Sequence, residues 1–132
     1  MGLDESGEMD NIRAFAVHPG SIPTDLNRHL SDADLQIMGL YRDAQGSIPL
    51  DLLRQLVFDA KSVPEGAATL VWCATSPLLA DKGGVYCEDC DISNLIAEDA
   101  RRVPGVRPSA IDRENAARLW ALSEHLMEVE GH

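Results

Sequence analysis

The sequence predicts an α/β fold: two parallel strands with flanking helices, forming part of a larger sheet. Three observations predict it. Two short apolar segments, 12–17 and 85–92, read as strands, and three helical patterns lie between them. A connection that long joins strands in parallel, since antiparallel neighbours need only a tight turn. Parallel pairs belong to sheets covered on both faces, and two strands alone make a poor sheet. The 132 residues are therefore read as a single incomplete domain, with a lead-in at 1–11 and the body of the fold at 12–128.

Each element has a local reason. Residues 1–10 are polar and acidic, with Gly2 and Gly7, and read as frayed. The strand at 12–17 ends at His18-Pro19-Gly20, because Pro19 donates no ladder hydrogen bond and Gly20 permits positive φ. Ser31 with Asp34 opens a helix, with Leu35, Met38 and Tyr41 or Arg42 at helical spacing and Gly46 as its end. Pro49 suits the first turn of a second helix, with an apolar stripe of Leu50, Leu53, Leu56, Val57 and Ala60. Ser62 and Glu65 have capping-box spacing and open a third, with a stripe of Ala67, Leu70, Val71 and Ala74. Pro77 stops it. Gly83-Gly84 turns the chain into the second strand, and residues 93–108 look irregular. Asp112 caps a last helix running to about Val129, with Ala116, Leu119, Trp120, Leu126 and Met127 on one side.

Composition excludes several functions. The 22 Asp and Glu against 11 Lys and Arg give a formal net charge of -11. Such a chain repels phosphate backbones, and only Arg101 and Arg102 are adjacent, so no nucleic-acid partner is expected. No stretch approaches the ~20 apolar residues that span a bilayer. The first eight residues are acidic and lack an apolar signal core. Three cysteines are too few for a disulfide framework. These features together point to the cytoplasm.

The chemistry centres on residues 17–24, Val-His-Pro-Gly-Ser-Ile-Pro-Thr. Ligands of open parallel sheets bind beyond the carboxyl ends of strands, where the backbone at Ile22 and the Thr24 hydroxyl would face them. The alternative is a plain strand-ending turn, with Thr24 capping a helical turn at 25–30.

Residues 12–24 resemble the sixth strand and following loop of short-chain dehydrogenases/reductases. Residues 65–75, Glu-Gly-Ala-Ala-Thr-Leu-Val-Trp-Cys-Ala-Thr, resemble the helix before that family's last strand. Residues 83–90, Gly-Gly-Val-Tyr-Cys-Glu-Asp-Cys, resemble the last strand. Residues 112–123 resemble the C-terminal helix of the retinol-dehydrogenase-like branch. The four matches lie in the family's order. The resemblance implies the C-terminal part of a doubly wound, Rossmann-type sheet. It also implies an NAD(P)-dependent oxidoreductase acting on a small lipophilic alcohol/carbonyl pair. Pro19 and Gly20 would shape the loop over the nicotinamide. Ile22 would offer its backbone to the carboxamide, and Thr24 its hydroxyl to the carboxamide or a phosphate. Residues 25–62 would cover the substrate.

Two family features have no counterpart. No Gly-x-x-x-Gly-x-Gly loop is present to receive a pyrophosphate. No Tyr-x-x-x-Lys is present either: Tyr41 is followed four residues on by Gln45, and Tyr86 by Cys90. The isolated chain is expected to be inactive, with no catalytic residue of its own, and not to bind NAD(P) tightly. The alternative is a non-enzymatic interaction or dimerisation module, covering its apolar faces with a second copy or an upstream fragment. Cys87 and Cys90 form a Cys-x-x-Cys, but no second pair completes a zinc site, and a strand would send the two thiols apart. His18, His29, His125 and His132 lack metal-ligand spacing, and His18 is read as structural. Trp72 and Trp120 are read as core.

Overall fold

A computed structural model describes residues 2–101 and 103–130. Residues 1, 102, 131 and 132 lie outside it, so nothing follows here for Arg102 or His132. The architecture is α/β, a small sheet with flanking helices. Strand β1 (Ala16–His18) pairs in parallel with β2 (Tyr86–Glu88), as the long connection predicts. The register sets Ala16 opposite Tyr86, Val17 opposite Cys87 and His18 opposite Glu88. Gly84 N–H to Ala14 O (2.8 Å) and Ala16 N–H to Val85 O (3.0 Å) carry the pairing toward the strand starts.

The sheet has a third member. The strand expected at 85–92 breaks at Asp89 and Cys90, whose φ values are 51° and 57°. Two successive left-handed residues make the tight hairpin turn that matches strand twist. Strand β3 (Asp91–Ile92) then returns antiparallel to β2, so the sheet is mixed, in the order β1-β2-β3. Aspartate tolerates the left-handed region, whereas cysteine rarely enters it. Cys90 is held there by its N–H bond to Thr69 Oγ1 (3.3 Å) on a neighbouring helix.

The helices form where the caps sit. Helix α2 (Asp32–Ile37) begins with a complete Ser31–Asp34 capping box but ends far short of Gly46. Gly39, at φ 75°, turns the chain away. Helix α3 (Leu50–Leu56) starts behind Pro49 and buries Leu53, while Leu56 stays exposed. Helix α4 (Val63–Thr75) carries the predicted Ser62–Glu65 box. Its inward face is not the predicted stripe. Gly66 and Thr69 are buried, Trp72 and Cys73 half-buried, and Ala67, Leu70, Val71 and Ala74 exposed, with Leu70 and Ala74 bordering a hollow beside β1. Small residues let α4 approach the strands closely. Helix α5 (Arg113–Glu130) follows Asp112, which accepts the Asn115 N–H (2.9 Å).

Two further expectations are corrected. The lead-in is not frayed: α1 (Gly2–Gly7) forms, and its Asp4 is buried against Gly83. Asp4 accepts the Ala14 N–H (2.9 Å) and pairs with Arg13 (3.5 Å), which fastens the helix to the start of β1. Trp120 is not core. Its ring lies on Gly2 of α1, and its indole N–H reaches Glu124 (2.9 Å) at the surface. Among the described residues, the buried apolar side chains are Leu35, Ile48, Leu53, Leu79, Cys87 and Val106. Among the described residues, no helix is long and apolar enough to cross a membrane.

Candidate functional site

β1 and β2 end side by side at His18 and Glu88, so the loop after β1 starts from the carboxyl edge of the parallel pair. Gly20 makes the turn at φ 87°. A side chain there would meet Asp59 O at 2.8 Å, so only glycine lets the loop lie this close to residues 59–61. The two segments are laced together. Ser21 N–H donates to Asp59 O (3.1 Å), and Lys61 N–H donates to Ser21 O (3.0 Å), giving a parallel bridge between Ser21 and Ala60.

Side chains reinforce the lacing. Asp59 accepts from Ser21 Oγ at Oδ1 (2.9 Å) and from His18 Nε2 at Oδ2 (3.0 Å). A carboxylate only accepts, so His18 carries its proton on Nε2 in this contact. Lys61 pairs with Asp89 in the hairpin turn. His18, Asp59, Lys61 and Asp89 wall a cleft of about 170 Å³ at the carboxyl edge, with Tyr86, Glu88 and Gly105. Larger hollows lie elsewhere, one of about 570 Å³ between β1 and α4 and one of about 540 Å³ at the opposite end beside Asp4.

Of the predicted site residues, Gly20 stands against residues 59–61 and Pro19 and Ile22 against α4, while Thr24 lines a separate small hollow with Asp25 and Arg42, and none of the four lines the cleft. The Ile22 side chain packs on Gly66 of α4, where any Cβ would overlap it and would stand 3.1 Å from Pro19 O. That contact fixes Pro19 and Ile22 against the helix and explains a glycine inside α4. Thr24 caps the 3-10 turn Asp25–His29, accepting the Leu26 N–H (3.4 Å). The capping alternative is thus observed, and it leaves the Thr24 hydroxyl proton free to donate.

Asp59 and Lys61 were missed by the sequence reading. They lie in an irregular stretch of an acidic chain, and neither carries a spacing signal. Tyr86 lines the cleft, but burial pushes its phenol up, with the Glu88 and Asp59 carboxylates adding to the effect. A proton-exchanging phenol needs the opposite shift. The two thiols of the Cys-x-x-Cys sit in different environments. Cys87 is buried on β2, and Cys90 is exposed in the turn beside Thr69. Burial, with a hydrogen bond that the Cys87 thiol donates to Cys73 of α4, pushes that thiol up to about 12. Among the described residues, no group of three or more His, Cys, Asp or Glu could hold a metal ion.

The fold and this edge define an α/β protein with a loop at the carboxyl edge of its parallel pair. Comparison with known proteins adds the family. The short-chain dehydrogenase/reductase prx1 of Penicillium roqueforti is 32% identical over 118 residues, covering 89% of this chain and 31% of the relative. A protein of Streptomyces lividans named probable oxidoreductase is 36% identical over 111 residues, covering 84% of this chain and 35% of the relative. The human WW domain-containing oxidoreductase is 41% identical over 68 residues, 52% of this chain and 14% of the relative. The chain therefore spans about a third of the length of the first two relatives. These likenesses support the short-chain dehydrogenase/reductase family, and the retinol-dehydrogenase-like branch is not among their names. No protein-family model and no solved structure matches the chain.

Proposed function

We propose that this chain is the C-terminal part of a cytoplasmic NAD(P)-dependent short-chain oxidoreductase of the retinol-dehydrogenase-like branch. Its parent reaction interconverts an alcohol and a carbonyl on a small lipophilic substrate. Pro19, Gly20, Ile22 and Thr24 form the nicotinamide loop. The observation that carries this reading is the loop's position, bound at the carboxyl edge of a parallel pair where such sheets take ligands.

The residues fit one end of the cofactor. A carboxamide both donates and accepts, which suits the backbone of Ile22, while Thr24 accepts from Leu26 and keeps a proton to donate. The pyrophosphate end is not matched, since the chain has no Gly-x-x-x-Gly-x-Gly run. NAD(P), when bound, supplies or receives the hydride. This chain's own residues orient the nicotinamide end and close water away from it. They do not move the reaction's proton: Tyr86 lacks a lysine four residues on, and its phenol is held protonated. Purified chain with NADPH is expected to reduce no member of an aldehyde and retinoid panel above blank. Turnover would overturn this assignment of inactivity.

A second reading has its own observation. Leu70 and Val71 on α4 and Leu119, Leu122, Leu126 and Met127 on α5 are all more than half exposed. Surface of this kind supports an interaction or dimerisation module that covers it with a second copy or an upstream fragment. Light scattering decides for the isolated chain: a dimer sustains the reading, and a clean monomer at working concentration removes the self-association arm.

A further inference from the structure

We infer that Asp59 is a positioning residue, a latch whose one carboxylate ties the 18–24 loop to the segment at 58–61. This rests on the cofactor reading proposed above. Under that reading, the loop serves the nicotinamide and residues 25–62 cover the substrate. Asp59 belongs to the covering segment, and its partners His18 and Ser21 belong to the loop. The two functions are then held as one unit.

Three features of the contact carry the inference. Each carboxylate oxygen serves a different loop residue, so loss of the group frees both. Bonds to a charged acceptor are stronger than neutral ones, and the Asp59 side chain is only 17% exposed, which limits competition from water. The main-chain bonds on either side of Ser21 have the same two segments as ends, so side chain and backbone resist the same motion. The covering segment is itself anchored, through Lys61, to Asp89 in the hairpin turn. A displacement of residues 59–61 must therefore drag Ser21 and, one residue on, the Ile22 backbone.

The test uses the full chain by NMR, with amide exchange and titration by NAD+. In Asp59→Ala, the Ser21 and Lys61 amides should exchange on the order of tenfold faster while α4 amides keep their protection. The NAD+-dependent shift of the Ile22 amide should weaken by a similar factor. Asp59→Asn keeps the volume but only one acceptor oxygen and should recover only part of both effects, whereas a merely space-filling role predicts full recovery. Wild-type exchange at Ser21 and Lys61 in Asp59→Ala overturns the latch. Should Asp59→Ala also lose α4 protection, Ser21→Ala decides: faster Lys61 exchange sustains the latch, and unchanged exchange overturns it. If exchange responds as expected but the wild-type Ile22 amide ignores NAD+ even at concentrations high enough to offset the missing pyrophosphate contacts, the latch stands and the cofactor reading fails.

Discussion

Helices α4 and α5 carry the same sequence signature, a side-chain cap followed by apolar residues at helical spacing, yet they pack differently. α4 lays Gly66 and Thr69 against the loop and the hairpin and turns Leu70 and Val71 outward. α5 touches the body near Ala116 and where Trp120 meets Gly2, and leaves Leu119, Leu122, Leu126 and Met127 exposed. The difference teaches that an apolar stripe records amphipathicity, while the packing face is chosen by fit. α4 is placed by its smallest residues, because closeness to the strands and the Cys90 amide outweighs burial of two aliphatic side chains. The outward faces of both helices are alike in exposing apolar surface.

The inner face of α4 gives the largest expected effect. Cys87, buried and donating to Cys73, is pushed from 9.0 to about 12 and should hold about a thousandfold less thiolate than an ordinary thiol at the same pH. Iodoacetamide at pH 8 should therefore label exposed Cys90 and leave Cys87 untouched until the chain unfolds, as read by peptide mass. The same shift gives a pH dependence. The folded state keeps the proton that the unfolded state loses, so stability should fall as pH rises from 9.0 toward about 12. Early labelling of Cys87 would break the comparison by opening the α4 contact.

Gly66→Val comes next. Its side chain would collide with Ile22 and approach the Pro19 carbonyl, costing about 3 kcal/mol in urea denaturation. Thr69→Val removes the acceptor of the Cys90 amide in the left-handed turn and should cost about 1–2 kcal/mol. Ser62→Ala removes the α4 cap, at about 1 kcal/mol. Part of that difference should disappear in acid. Ser62 holds the Glu65 carboxyl below its ordinary value, so the contribution is present above 4.5 and is lost as pH falls through the lowered value. The smallest effect belongs to the outer faces: Val71→Ala and Leu126→Ala should each change stability by less than about 0.5 kcal/mol. A cost of several times that would mean another chain covers these faces in solution.

Much of the local structure was legible because it is written in adjacent residues. The Ser31–Asp34 and Ser62–Glu65 boxes, Pro49 before α3, Asp112 before α5 and the Pro19-Gly20 break after β1 all form as their spacing predicts. Each is a contact within a few residues, and no tertiary partner is needed to specify it. The loop 18–24 was legible for the same reason, together with its likeness to a known family. What the loop leans on was not. Asp59 lies 38 residues beyond Ser21 and 41 beyond His18, Thr69 lies 21 before Cys90, and Asp4 lies ten before Ala14. None of those three side chains has a periodic or motif signal, because each satisfies a polar group that exists only once the chain is folded. The sequence by itself determined the α/β class, the parallel pair and the caps, which depend on local sterics and connection length. Only the tertiary structure decided the hairpin at Asp89-Cys90, the inward face of α4 and the carboxylate that holds the loop, since those follow from which backbone groups are left to be satisfied when distant segments meet.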